Sequence, residues 1–426
     1  MERRHVIKTL GTLTGAILLG KPGMALSGSP FRETLRTAAD EQMFWKIVRE
    51  QFIFPRDYAY LNTGGIGAVP IVVLNKVKFS MDQLEVYPRP GHDHEKWLEV
   101  KKKCAGLLSP DCKKEELALT GTATEGINIV INGLPLRKGD EVITSTHEHP
   151  AVHIPLLNRM QRDGIVIRSY EPDLKNGLGN VDRIYRLINN KTRLIFISHI
   201  TCTTGQCFPV KEIGRLARDK SIWFAVDGAQ AVGTMPMDVK DYGVDFYAFS
   251  GHKWILGPKR TGVLYVRNEL LDTLNATTVG AYSDDGYDIN KAILKLHPTA
   301  QRYEYATQNE TLFHGLGTAV DFINTIGLQT IQEHNETLAE QFYAGLKESP
   351  DIQILSPEEK KYRTSMITFK IKGQNYRDVA SHLSEKRIRV RVVSEANLEG
   401  IRVSFHVYNE TNEVERILEE IKAILA

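Results

Sequence analysis

The sequence predicts an α/β fold: a mainly parallel sheet covered on both faces by helices, followed by a smaller α+β domain. Three observations lead there. Short apolar runs at 141–145, 165–168, 194–198, 222–226 and 245–250 are each stopped by polar residues, and helix-like segments such as 181–188 and 211–218 lie between them. Strands alternating with helices in this way argue for a parallel sheet buried on both sides. After about residue 300 the texture changes to two long helical patterns, at 311–326 and 328–347, then strand-like runs at 364–371, 387–393 and 401–405 and a closing helix at 410–425.

The elements follow in order. Residues 1–26 have a charged head with paired Arg3 and Arg4, a mild apolar run at 9–20 and a small-residue exit. That is an export-signal layout, and it resembles the twin-arginine signal. The alternative, an amphipathic first helix, suffers from a Gly- and Thr-rich middle that would make a poor core helix. Twin-arginine export carries folded proteins, so a periplasmic or otherwise exported location is expected, which suits a chain that acquires a cofactor before crossing. Helical apolar spacing recurs at 40–51, 76–84 and 97–108. The expected division is 1–26 signal, 27–300 N-terminal segment plus large domain, and 301–426 small C-terminal domain, with no composition-marked linker.

Composition narrows the function. The 426 residues are 42% hydrophobic and 25% charged, which excludes whole-chain disorder. Lys plus Arg total 54 against 52 for Asp plus Glu, so no basic surplus exists to bind nucleic acid. Four cysteines do not make a disulfide scaffold. Beyond the first 30 residues no run reaches the roughly 20 apolar residues that span a bilayer. What remains is a soluble protein of α/β size, expected to be an enzyme.

In parallel sheets ligands sit outside the carboxyl ends of the strands, so chemistry is expected at the residues that stop the apolar runs. Ser250-Gly-His252-Lys253-Trp254 follows one such run. A lysine there is either a solvated charge or an amine held near a dry site, where its pKa falls and it can serve an aldehyde cofactor. Asp227 ends the run 222–226. It is either a helix N-cap or the partner of a protonated ring nitrogen. Thr120-Gly-Thr-Ala123-Thr124-Glu-Gly leads into an apolar helix, a layout that can hold an anion or merely cap the helix. His147-Glu148-His149-Pro150 follows the run 141–145. His-x-His spacing can ligate zinc, but no further Cys or His cluster completes such a site, so no metal is expected.

Taken together in this order, these segments resemble the pyridoxal 5'-phosphate (PLP) enzymes of fold type I in the class V aminotransferase group. That group includes cysteine desulfurases, selenocysteine lyases and isopenicillin N epimerase-like proteins. The resemblance runs from about Tyr60 to the C-terminus, and its most specific parts are Ser-Gly-His-Lys253, Val-Asp227-Gly-Ala-Gln230 and Arg402-Val-Ser-Phe-His-Val-Tyr-Asn409. It implies a sheet of the seven-stranded type. It also implies that Lys253 forms a Schiff base with the cofactor, Asp227 pairs with the pyridine nitrogen, Gln230 reaches the phenolic oxygen and His149 stacks on the ring. Ala123 and Thr124 would take the phosphate together with Ser250 and His252. Arg402 would clamp a substrate carboxylate, with Asn62 also on the substrate side. Thr307, in Arg302-Tyr-Glu-Tyr-Ala-Thr-Gln-Asn, resembles a threonine that reaches the phosphate of a neighbouring subunit, which implies a homodimer. The family's glycine before it is Ala306 here.

Departures shape the expected reaction. Cysteine desulfurases carry a nucleophilic cysteine on the loop before the carboxylate-binding arginine, and residues 391–400 contain none. The segment 60–70 resembles isopenicillin N epimerase-like proteins. The expectation is therefore an enzyme acting at the α-carbon of an amino acid, as epimerase, racemase or aminotransferase. The alternatives are β-elimination on a cysteine- or selenocysteine-type substrate, or an exported non-catalytic binding protein on the same scaffold. Cys202 and Cys207 are expected as buried thiols or a disulfide.

Overall fold

The computed structural model describes residues 30–55 and 57–425. The export-signal reading at 1–26 lies outside them. The main sheet has seven strands: β1 Leu117–Thr120, β2 Glu141–Ser145, β3 Val166–Tyr170, β4 Thr192–Ser198, β5 Trp223–Asp227, β6 Phe246–Ser250 and β7 Gly262–Val266. Their order is β1-β7-β6-β5-β4-β2-β3. The five strands β2 to β6 run parallel, while β7 is antiparallel to both of its neighbours. All five expected runs are strands, within two residues at either end. Two strands were not anticipated: β1, only four residues long, and β7, the fully buried run Gly-Val-Leu-Tyr-Val after Lys259-Arg260.

The two-residue period of a strand explains why the sheet is covered on both sides. Ile195, Ile197, Phe224, Val226, Tyr247 and Phe249 enter one core. Leu194, Phe196, Ala225, Phe246, Ala248 and Leu264 enter the other. The first core is closed by α4 His94–Leu108, α8 Val210–Asp219 and α9 Glu310–Ile326, through Leu107, Ile213 and Leu316. The second is closed by α5 Ala123–Gly133 and α6 Pro150–Asp163, through Ile127, Val130, Val152 and Leu156. Each such side chain, fully buried, stabilises by roughly 1.5–3 kcal/mol.

A second sheet, antiparallel throughout, contains β8 Ile352–Ile354, β9 Met366–Ile371, β10 Arg391–Val393 and β11 Gly400–Ser404 in the order β8-β9-β11-β10. Its core is shared with α10 Leu328–Lys347, α11 Tyr376–Glu385 and α12 Thr411–Leu425, and with Ala59 and Leu61. The single strand expected at 387–393 is broken. Ile388–Arg389 pairs in parallel with Ala59–Tyr60, whereas β10 pairs with β11. One apolar run thus serves two partners. A hairpin of Asp284–Asp288 and Ile293–Leu296 was also not anticipated.

Both sheets belong to one unit, from Val48 onward. The described residues 30–47 form another, with the helix Pro30–Arg36 and most of Glu41–Arg49. Asp40 starts the second helix by accepting the Met43 N–H at 2.8 Å. All four cysteines are free thiols, Cys202 and Cys207 included. Among the described residues no helix is long and apolar enough to cross a membrane, and no three His, Cys, Asp or Glu side chains gather as metal ligands.

Candidate active site

The parallel strands end at a cavity of about 280 Å³, near the lower end of the roughly 300–1,000 Å³ usual for ligand pockets. Four of the five strand ends contribute. β2 leads to His149, β4 to Cys202, β5 ends in Asp227, and β6 leads through Ser250 to His252 and Lys253; all of these line the cavity. From the second sheet come Arg391 on β10 and Arg402 on β11.

Asp227 is 5% exposed and accepts the Ala229 N–H at 2.9 Å. Burial pushes its carboxyl above the ordinary range, opposed by the Lys253 ammonium. The Lys253 amine is held below its usual pKa by burial, with Asp227 acting in the opposite sense and Arg402 and Arg391 adding to the depression. A buried carboxylate with one hydrogen bond is costly unless a cation pairs with it. His149 caps α6 by accepting the Ala151 N–H on Nδ1 at 3.1 Å. Burial and the nearby Lys253 lower its pKa to about 4, so the ring is neutral near pH 7. His252 is likewise lowered to about 4 by burial, and its Nδ1 is buried with no partner.

The N-terminus of α5 faces the same cavity through Ala123 and Thr124. Ser250 Oγ accepts the Ala123 N–H at 3.1 Å, and Thr122 caps the helix by accepting the Glu125 N–H. First-turn N–H groups have no intrahelical partner, and the helix dipole favours an anion there. Gln230 gives one amide N–H to Gly64 O at 2.9 Å and accepts the Trp254 indole N–H at 2.8 Å, which leaves a second amide N–H for a ligand. Cys202 lies within the cavity, and burial pushes its thiol up.

Arg402 is fully buried. Its guanidinium donates to Cys202 O at 2.5 Å and to Asn62 Oδ1 at 3.3 Å, and its Nε has no partner. Burial, and then Arg391, lower its pKa to about 9. The late motif also braces the lysine loop, since His406 Nε2 bonds Trp254 O at 2.8 Å. Gly67 fits against that loop because it has no side chain. Its N–H donates to His252 O at 2.8 Å, and a Cβ there would lie 2.0 Å from Lys253 O.

The structure therefore brings together Lys253, Asp227, His149, Gln230, Ala123, Thr124, Ser250, His252 and Arg402 around one cavity. Two expected residues are placed otherwise. Asn62 does not line the cavity and acts on it through Arg402. Thr307 is exposed and outside this chain's own cavity. Ala306 before it adopts φ +59°, the left-handed region that favours glycine. Sequence reasoning missed Arg391: no local signal shows that the run 387–393 breaks after Arg389 and sets Arg391 opposite Arg402. His147, the other half of the His-x-His spacing, is turned to Thr203 Oγ1 at 3.1 Å.

The donors fit a phosphorylated pyridine aldehyde. A helix N-terminus with Ser250 and the orphaned His252 nitrogen suits the phosphate, Asp227 a cationic ring nitrogen, and the Lys253 amine an aldehyde. Comparison with known proteins agrees. The family model described as aminotransferase class-V matches residues 86–417. A probable cysteine desulfurase of Methanothermobacter thermautotrophicus is 30% identical over 401 residues, covering 88% of this chain and 97% of its own. The apo structure of a cysteine desulfurase from Thermococcus onnurineus NA1 superposes with a TM-score of 0.80 at 27% identity, covering 89% of this chain and 97% of the other. The cystine C–S lyase C-DES, solved with its product cysteine persulfide, gives a TM-score of 0.79 at 26% identity over 86% of this chain and 97% of its own. C-DES has also been solved with glycine linked covalently to PLP. These relatives are desulfurases and a lyase, so the expectation of an epimerase is not supported. The chain belongs to the class V aminotransferase family, PLP-dependent enzymes of fold type I.

Proposed function

We propose that the protein is a PLP-dependent β-elimination lyase acting on a cysteine- or selenocysteine-type amino acid. One observation carries this reading. The cavity holds a single lysine of depressed pKa together with the buried Arg402, while every thiol in the chain is pushed up by burial. Cys104, Cys112 and Cys207 are raised to about 12, and Cys202 is raised as well. No thiolate stands ready to take sulfur from a substrate, and residues 391–400 supply none.

When bound, the cofactor ring supplies an electron sink for negative charge at the substrate α-carbon. Arg402 binds the α-carboxylate with its planar fork, and Asn62 holds that fork in place. Lys253 Nζ, whose pKa burial lowers, takes the α-proton. Asp227 would hold a proton on the cofactor's ring nitrogen, Ala123, Thr124, Ser250 and His252 would hold its phosphate, and His149, a neutral imidazole, would lie against the ring. Epimerisation would need a second acid to return a proton to the opposite face. With His149 and His252 both lowered to about 4, neither is a protonated imidazolium available for that task.

The likeness to C-DES, a cystine C–S lyase, supports the elimination. The names of the desulfurase relatives favour a second reading, in which sulfur passes to a protein thiol. Thr307, exposed beside a left-handed Ala306, supports a homodimer in which it reaches the partner's site. The Arg3–Arg4 head supports export in the folded state.

The test incubates cofactor-loaded protein with L-cysteine, L-cystine and L-selenocysteine in deuterated water. Pyruvate with released sulfide, persulfide or selenide is expected. Alanine with a protein-bound persulfide would establish the desulfurase instead. An α-deuterated amino acid without pyruvate would restore the epimerase.

A further inference from the structure

The helices α3 Ile71–Val86, α4 and α9 border another cavity, of about 220 Å³. None of its lining residues lines the catalytic cavity. One side of it is basic, with Lys76, Arg89, Lys96 and His314, and Glu310 is the one carboxylate among its walls. That carboxylate is already committed. Glu310 Oε1 accepts from Arg89 Nη2 at 2.6 Å, and Oε2 accepts the Asp93 N–H at 2.7 Å. Asp93 in turn pairs with Arg89 and Lys96, at 3.2 and 2.9 Å. Lys76 belongs to no ion pair among the described residues. Burial, and then the Lys96 ammonium, hold its pKa below the usual value. An ammonium crowded by burial and like charge lacks a counter-anion.

His314 supplies the second observation. It is only 8% exposed, its Nδ1 lies 3.3 Å from Ser80 Oγ, and its Nε2 is buried with no partner. Burial lowers its pKa, so near pH 7 the ring is neutral and carries a single N–H. With the Ser80 hydroxyl donating to Nδ1, that proton sits on Nε2 and needs an acceptor. A buried donor without one is costly. An oxyanion answers both Lys76 and His314. The other side of the cavity is apolar, formed by Phe79, Leu84 and Tyr87, and two of these rings are exposed, at 49% and 75%. The volume is below the roughly 300–1,000 Å³ usual for ligand pockets, so the occupant is small.

We propose that this cavity binds a small organic carboxylate. Its carboxylate pairs with Lys76 Nζ and the His314 Nε2–H, and its apolar body lies against Phe79, Leu84 and Tyr87. This site goes beyond the lyase reading and does not rest on it.

Phenylacetate and its neutral analogue phenylacetamide test the proposal, titrated by calorimetry into the cofactor-loaded full chain. Phenylacetate is expected to bind about tenfold tighter or more, as one charge-assisted pair provides. Lys76→Met should remove that advantage, and His314→Leu should weaken binding of the acid likewise. Arg402→Met, which disables the carboxylate grip of the catalytic cavity, should leave phenylacetate binding unchanged. Equal binding of acid and amide by the wild type, or an advantage that survives Lys76→Met, overturns the proposal. So does an affinity that falls with Arg402→Met alone, which would place the acid in the catalytic cavity. Lys76 is half-buried at the rim of α3, so its variant gives the answer even where His314→Leu does not fold. Inorganic phosphate bound more tightly than phenylacetate, and lost in Lys76→Met, would overturn the organic ligand in favour of a bare oxyanion.

Discussion

Glu148, the residue before His149, is 2% exposed, with its carboxyl bonded to the hydroxyls of Ser145 and Ser198, each at 2.5 Å. Burial raises its pKa from an ordinary 4.5 to about 8, partly opposed by those two hydrogen bonds and reinforced by the neighbouring Asp227. The folded state therefore binds this proton more tightly than the unfolded chain does. The resulting stability is fully present below pH 4.5 and is lost as pH rises through 8. Integrating between those values gives a loss of about 2.5 kcal/mol from pH 5 to pH 7. A side-chain amide at this position stays neutral throughout while offering a similar pair of hydrogen bonds, so Glu148→Gln should escape the loss. With an unfolding entropy of roughly 2.1 cal/mol/K per residue, the variant's thermal midpoint should gain about 3 °C on the wild type over that interval. Differential scanning calorimetry of both proteins at pH 5, 6 and 7 measures it. A midpoint difference independent of pH would refute the reasoning, because a carboxyl ionised in both states contributes no slope.

Other substitutions probe the site directly. Gly67→Ala places a Cβ 2.0 Å from Lys253 O; it should cost about 3 kcal/mol or more by calorimetry and weaken cofactor retention, since backbone must move. The cofactor-loaded wild type should be yellow and give a borohydride-trapped cofactor label, and Lys253→Ala should abolish that label. Arg402→Lys should lower kcat/KM by about 100-fold, because an ammonium cannot reproduce a planar two-point grip on a carboxylate. Replacing Arg3 and Arg4 together by Lys should leave the protein in the cytoplasmic fraction if the paired arginines direct export, and unchanged fractionation would refute that role.

What the sequence disclosed follows from how locally each feature is encoded. Asp227 and Lys253 lie at or just beyond the end of an apolar run, and His149 four residues past one, so strand patterning alone places them on the functional edge of the sheet. The helix at Ala123 was likewise marked by its Thr-rich cap. The pairing of Arg391 with Arg402 is different in kind. It depends on a register between two short antiparallel strands, and both arginines meet at Cys202, whose carbonyl arrives from the end of β4. Nothing local in the run 387–393 announces that its first half serves Tyr60 and its second half β11. The same holds for Asn62, whose place beside Arg402 is fixed by the bridge from Asn62 to Ser404. The residues proposed to activate the cofactor are thus written along the chain, near the ends of strands. Those proposed to grip the substrate come together only once a second sheet has been laid against the first. A change of substrate can therefore arise on β10, β11 and their connecting turn, leaving Lys253, Asp227 and the phosphate-binding helix in place.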